Sequence, residues 1–238
     1  AKGTPIVNLL QLADGEKVTA AFPGTSEGKY LVLCTRGGII KKTDLSSFDN
    51  IRKGGLIALS LRDDDELISA QVSSGQDEFI VASRFGKCIR FSEADVRPIG
   101  RTATGVRAMM LEPEDEVVSL EKIASGQQVL TISELGMGKR TDECDYRCQN
   151  RGGKGVAAMM LTDRTGSLCA LHVINGDEDV MLICADGTII RMATGEISPP
   201  HPGRQAHAGG RRGQSGLRLH RPPRGGAGGG RGAGERRV

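Results

Sequence analysis

The stretch Cys148–Val156 reads CQNRGGKGV, with Arg151 and Lys154 set among Gly152, Gly153 and Gly155. Glycines let backbone N–H groups come close to a phosphate, and the adjacent cations neutralise it. The same residue types serve a nucleotide pocket, a contact to a nucleic-acid backbone, or a plain turn. A phosphate-cradling P-loop needs G-x-x-x-x-G-K-[ST] between a strand and a helix. Here Lys154 is followed by Gly155 and Val156, so no hydroxyl is placed for a magnesium ion. The strand–helix–strand order of a dinucleotide fold is absent as well. His172 is the only histidine before residue 199, and within LCALHVI it reads as a packed residue rather than a base. Cys144 and Cys148 lie four apart without a second pair or a histidine partner, so no metal site is expected. Cys34, Cys88, Cys169 and Cys184 lie in apolar runs and read as buried thiols. No catalytic residue and no cofactor is expected in this chain. With no Trp, two Tyr and five Phe, stacking on single-stranded bases has little to work with, and contact to a duplex backbone fits better.

The elements that would position such a loop follow from an internal repeat. LVLCTRGGIIKKT (31–43), FIVASRFGKCIRF (79–91), VLTISELGMGKRT (129–141) and VMLICADGTIIRM (180–192) share an apolar run, a turn glycine and a basic residue four positions later. The glycines are Gly38, Gly86, Gly136 and Gly187, spaced 48, 50 and 51 apart, and the basic residues are Lys42, Arg90, Arg140 and Arg191. Each unit reads as a β-hairpin closed by a left-handed glycine. A second anchor opens at Gly55, Gly105 and Gly155, each followed by a short strand, an acidic turn and another strand. Half of such a unit, GTPIVNLLQLADGEKVTAAF (3–22), opens the chain, which therefore starts mid-repeat. Four strands in about 50 residues, repeated, predict an all-β, propeller-like disc with an incomplete set of blades. Residues 44–50 and 92–97 are predicted to form at most a single helical turn.

Between hairpin and anchor run the links DLSSFDNIRKGG (44–55), EADVRPIGRTATG (93–105) and DECDYRCQNRGGKG (142–155). They carry Arg52 and Lys53, Arg97 and Arg101, and Arg147, Arg151 and Lys154. The acids gather in the other turn of each unit, at Asp63–Glu66, at Glu112 and Glu114–Glu116, and at Asp163. Equivalent loops of a radial array fall at equivalent positions, so basic and acidic residues are segregated in space. A rim of Lys and Arg can follow DNA phosphates without reading bases. The expected DNA contacts are the link residues together with Lys41, Lys42, Arg90, Lys139, Arg140 and Arg191 beside the hairpin turns.

Net charge alone misleads. The whole chain carries +3, but residues 1–198 hold 23 basic against 28 acidic residues, while residues 199–238 hold nine Arg and one Glu. The first segment reads as the folded domain and the second as an Arg/Gly tail without structure of its own. An anchor of the G-V-x-x-[ML] kind is due soon after Gly187, yet residues 201–208 read HPGRQAHA. One nucleotide string encoding these eight residues gives Thr-Gln-Gly-Val-Arg-Leu-Met-Arg when read one base later. A frameshift near residues 199–201 is therefore expected. No run approaches the ~20 apolar residues of a membrane span, and a cytoplasmic location is expected.

GTPIVNLLQL, the G-x-x-x-[KR] hairpins, GRTATGVRAM (100–109) and GKRT (138–141) resemble the C-terminal domain family of the bacterial DNA gyrase A protein, over nearly all of residues 1–198. The resemblance implies a β-pinwheel, a six-bladed disc whose blades exchange strands. It implies a rim that wraps double-stranded DNA for ATP-dependent negative supercoiling by the whole enzyme, an isomerase that uses ATP and magnesium. It also implies two partners, the N-terminal catalytic region of gyrase A and the gyrase B protein, in the neighbourhood of the nucleoid. The family's basic box reads Q-R-R-G-G-K-G in its first blade. Here Gln149, Asn150, Arg151, Gly152, Gly153, Lys154 and Gly155 read QNRGGKG, departing at Asn150 and standing in a later blade, so the loop is box-like. The catalytic tyrosine and ATPase regions of the family have no counterpart in these residues. The alternatives are a propeller that docks proteins and the equivalent C-terminal domain of topoisomerase IV.

Overall fold

In a computed structural model of the protein, the described residues are 3, 12, 16–21, 28–51, 55–184, 187–197 and the paired backbone at 217–218. The four hairpins are β1 (Tyr30–Thr35) with β2 (Ile39–Asp44), β4 (Glu78–Ser83) with β5 (Lys87–Ser92), β8 (Gln128–Ser133) with β9 (Met137–Asp142), and β12 (Asp179–Ile183) with β13 (Ile189–Ala193). Their turns close on Gly38, Gly86, Gly136 and Gly187, all at positive φ, as the repeat predicts. A single 3-10 turn follows each hairpin, at Leu45–Phe48, Glu93–Asp95, Glu143–Asp145 and Thr194–Glu196. Asp44 and Ser92 cap the first two, their side chains accepting from the Ser46 and Ala94 N–H groups.

Three hairpins are widened to four antiparallel strands. The inner strand of each sheet comes from the same unit: β3 (Leu67–Ser73) beside β1, β7 (Val117–Ile123) beside β4, and β11 (Leu168–Ile174) beside β8. The outer strand comes from the following unit. β6 (Val106–Arg107) lies against β2, and β10 (Val156–Ala157) lies against β5. The register repeats: Val106 faces Ile40 and Val156 faces Cys88, each two residues beyond the turn glycine. At the third sheet this place is taken by β14 (Leu217–Arg218), a pair of tail residues with Leu217 opposite Gly138. The fourth hairpin stands two-stranded among the described residues. The first anchor, near Gly55, forms no strand among the described residues.

Inner strands β3, β7 and β11 touch in succession, so the sheets fan out from a common side. The Gln71 side chain donates to Leu120 O at 2.8 Å, and Leu171 N–H to Ser119 Oγ at 3.0 Å. The core lies between sheets rather than beneath them. Val32, Cys34 and Ile40 of the first sheet pack with Phe79, Val81 and Phe91 of the second. The opposite face of the same strand, Ile80 and Ala82, packs with Val129 and Leu171 of the third. A strand buried on both faces needs an unbroken apolar run, and β4 supplies EFIVAS. The last hairpin shows the converse. Val180 and Leu182 pack toward the third sheet, whereas Met181, Ile183 and Ile189 are exposed.

Candidate nucleic-acid interface

The second and third basic links travel along the outside of the preceding sheet before turning back. Pro98 bridges Lys42 and Cys148 bridges Arg90, both in parallel, and Ile99 and Gln149 donate to the carbonyls of Lys42 and Arg90 at 2.9 and 2.8 Å. The chain then reverses through the glycine-rich loop into β6 or β10. The reversal leaves no room for a side chain at its end. A Cβ on Gly105 would lie 2.7 Å from Ile40 O, and one on Gly155 only 2.2 Å from Cys88 O. Both glycines hold positive φ, at 107° and 71°.

The box-like loop is stitched to the link before it. Gly152 N–H donates to Ala108 O at 2.6 Å, and Met110 N–H to Gly153 O at 2.8 Å. Arg151 donates through Nε to Asp95 O at 2.8 Å and through Nη1 to Arg107 O at 3.0 Å. One unit earlier, Ser60 Oγ donates to Thr102 O at 2.6 Å. The outer links thus join edge to edge into one ribbon, and Arg151 serves that seam.

The basic residues four beyond the first three turn glycines, Lys42, Arg90 and Arg140, are withdrawn from the surface, which corrects their expected place on the rim. Lys42 Nζ donates to Glu93 O at 3.0 Å, pairs with the Glu93 carboxylate at 3.5 Å and lies 4.9 Å over the Tyr30 ring. Arg90 Nη1 donates to the Glu143 and Tyr146 carbonyls, and its Nε pairs with Glu78 at 2.6 Å. Arg140 Nη1 donates to Thr194 O at 3.0 Å. Glu93, Glu143 and Thr194 each open a 3-10 turn of the next unit, and their carbonyls, which already accept from Val96, Tyr146 and Ile197 N–H, take these cations as second donors across the blade junction. Lys41 is also buried, donating to the Ala58 and Arg101 carbonyls, and burial beside the Arg101 charge holds its ammonium below the usual lysine range. Burial likewise lowers Lys139. Arg191 stays exposed and is paired with Asp179.

What faces solvent is a narrower set. Arg97 and Arg147, fifty residues apart, are exposed and make no hydrogen bond or ion pair among the described residues. Lys154 is exposed near Glu112, and Arg101 is half-buried. Arg107, on outer strand β6, is exposed too. The sequence reading missed it because it counted links and not the strand they lead into; the exchanged strand is the signal that would have found it. Arg52 and Lys53 lie outside the described residues.

The acids gather around the hairpin turns. An open cleft is lined by Asp63, Asp64, Asp65, Glu114, Asp115 and Glu116 around Arg36. Arg36 reaches Glu66 and Glu116 at 3.5 and 3.8 Å, and Arg84 reaches Glu116 and Glu134 at 3.4 and 3.2 Å. These exposed pairs add little stability but hold the acidic turns in place.

Two expectations about single residues need correction. Burial pushes the Cys34 and Cys88 thiols up to about 12, but Cys169 is exposed and Cys184 half-exposed. Inner strand β11 does not alternate strictly: its register shifts between Leu168 and Ala170, and Cys169 and His172 are both exposed. His172 Nδ1 lies 3.0 Å from Glu121 Oε1, a contact that raises its pKa.

Serial four-stranded antiparallel sheets, the first two borrowing their outer strands from the next unit, define a strand-exchanging β-propeller. The profile of the family described as DNA gyrase C-terminal domain, beta-propeller matches residues 29–74, 77–124 and 127–175. The chain belongs to this family of DNA gyrase C-terminal domains. It is 59% identical over 200 residues to the DNA gyrase A protein of Halalkalibacterium halodurans, covering 83% of this chain and 24% of that protein. It is 48% identical over 200 residues to the gyrase A protein of Clostridium acetobutylicum, with the same coverage. The chain therefore spans about a quarter of the length of the curated relatives it matches. Among solved structures, a DNA gyrase A C-terminal domain aligns with a TM-score of 0.75 at 26% identity, covering 84% of this chain and 68% of that one. The C-terminal domain of a DNA topoisomerase IV aligns with a TM-score of 0.78 at 24% identity, covering 83% and 63%, a likeness of fold alone.

Proposed function

We propose that the chain is the DNA-wrapping domain of a gyrase A protein. In this reading its outer ribbon binds duplex phosphates, and it works with the N-terminal catalytic region and the gyrase B protein in ATP-dependent negative supercoiling. The isolated chain would bend DNA and catalyse nothing. The observation that carries the reading is the run of exposed cations along the exchanged outer edge, at Arg97, Arg107, Arg147 and Lys154. Such a ribbon neutralises phosphates in sequence and needs no base contacts. The identity to gyrase A proteins favours this over the topoisomerase IV reading.

Arg97→Ala with Arg147→Ala tests it. Neither side chain has a partner to lose among the described residues, so the fold should be unchanged. Losing two phosphate contacts should flatten the slope of log affinity against log salt by about 2. An unchanged slope would remove these residues from the interface. Wrapping further requires tighter binding to duplexes longer than about 100 base pairs than to 20-base-pair ones, and trapped writhe when a plasmid is relaxed with the domain bound.

The Arg/Gly tail stands outside this reading. We infer that it follows a frameshift near residues 199–201, and the coding DNA decides it. The +1 frame should run on into G-V-x-x-[ML], an acidic turn and a strand; an early stop there, or no anchor, would end the idea.

A further inference from the structure

We propose that Met110 and Met160 are apolar wedges that enter the minor groove of the bound duplex and part a base step. The inference rests on the reading of the outer ribbon as a duplex-binding surface.

A lone exposed apolar side chain is ordinary. These two recur at one place in successive units. Met109 and Leu111 close over the first hairpin turn: a Cβ on Gly38 would lie 3.3 Å from Met109 O and 3.2 Å from Leu111 Cδ1. Met159 and Leu161 do the same at Gly86, at 2.7 and 3.0 Å. The residue between each pair is turned out, Met110 being 41% and Met160 79% exposed. Met110 is also fixed in place, since its N–H donates to Gly153 O at 2.8 Å in the box-like loop. Exposed Arg107 stands three residues before it and exposed Lys154 follows Gly153, whereas before Met160 the place of Arg107 is taken by Ala157.

An apolar knob on a tethered backbone with exposed cations in the neighbouring sequence, as at Met110, fits a duplex. The cations hold phosphates, and an unbranched, polarizable thioether slides between partly unstacked bases. Unstacking is easiest at flexible pyrimidine–purine steps. The ribbon would then favour duplexes with such steps at the wedge positions, although it reads no base edge.

The test uses the whole chain and two duplexes of about 150 base pairs, one with TA steps at each helical turn and one built of stiff A-tracts. The Met110→Gln, Met160→Gln variant should bind the TA-rich duplex about 5–10-fold more weakly and lose the preference for it. Its salt slope should match the wild type, because no cation is lost. The Met110→Leu, Met160→Leu variant should keep the preference. Glutamine variants that retain the wild-type preference and affinity would overturn the wedge while leaving wrapping intact. A changed salt slope, or an equal loss on a 20-base-pair duplex, would also overturn it, marking a general surface effect. Wild-type protein that traps no writhe would instead remove the wrapping reading, and the wedge with it.

Discussion

Replacing Gly155 with alanine is expected to detach the exchanged strand β10 from the second sheet and cost about 3–4 kcal/mol of stability. Two effects combine. Gly155 has φ +71°, and an L-residue held there costs about 1–2 kcal/mol by itself. The larger effect is steric, because the new Cβ would lie 2.2 Å from Cys88 O and 2.8 Å from Cys88 C, both of them backbone atoms in a sheet. Neither can give way without breaking the Val156–Cys88 pairing. Gly126 is the control: its φ is +85°, and nothing lies within 4 Å of its would-be Cβ. Alanine there should lower stability only by the conformational part, about 1–2 kcal/mol. Urea unfolding of the two variants reads the difference, and equal midpoints would sink the steric account. The same clash predicts weaker DNA binding by Gly155→Ala at temperatures where it remains folded, because the loop that carries Lys154 is held by that strand.

The second large effect is expected at Glu93. Its carboxylate is fully buried and accepts from Ser73 Oγ at 2.6 Å, Gly75 N–H at 3.0 Å and Asp77 N–H at 3.1 Å, while pairing with Lys42 across the junction between the first two blades. Glu93→Ala would orphan three donors and leave a buried ammonium without its counter-charge, at about 3–5 kcal/mol. Glu93→Gln keeps the shape and part of the acceptor capacity and should cost less. Adding Lys42→Met to Glu93→Gln should recover stability, because the unpaired charge leaves with the lysine. A double-mutant cycle by denaturant unfolding measures this coupling, expected at about 1–3 kcal/mol. Additive single effects would show that the pair does not hold the junction.

Much of the fold was legible because period and turn chemistry are local. A glycine that must take positive φ leaves its mark on the sequence at every turn, and Gly38, Gly86, Gly136 and Gly187 fixed all four hairpins. The spacing of Gly55, Gly105 and Gly155 marked where each link ends. What the repeat could not say is which sheet a segment joins. Val106 looks like part of its own unit until it is seen beside Ile40 of the one before. The placement of three basic residues was hidden for the same reason. Lys42, Arg90 and Arg140 recur at the right interval to line a rim, but recurrence gives a place in the unit and not the direction of a long side chain. Their targets are backbone carbonyls, which leave no trace in residue identity. Arg97 and Arg147 were legible as exposed because they stand beside Pro98 and Cys148, in links with little apolar sequence to bury them.

The exchanged strand also sets a timetable for synthesis. The first sheet is complete only when Val106 reaches Ile40, 62 residues after Asp44 closes the hairpin strands. At about 5–20 residues per second, that hairpin waits roughly 3–12 s on the ribosome with its outer edge unpaired. The second sheet repeats the delay while it waits for Val156 to reach Cys88, so the open edge moves along with the ribosome. Such an edge invites pairing with another nascent chain. The cations of β2 and β5 stand beside that edge throughout the wait, where like-charge repulsion keeps neighbouring chains apart until the next unit arrives to bury them.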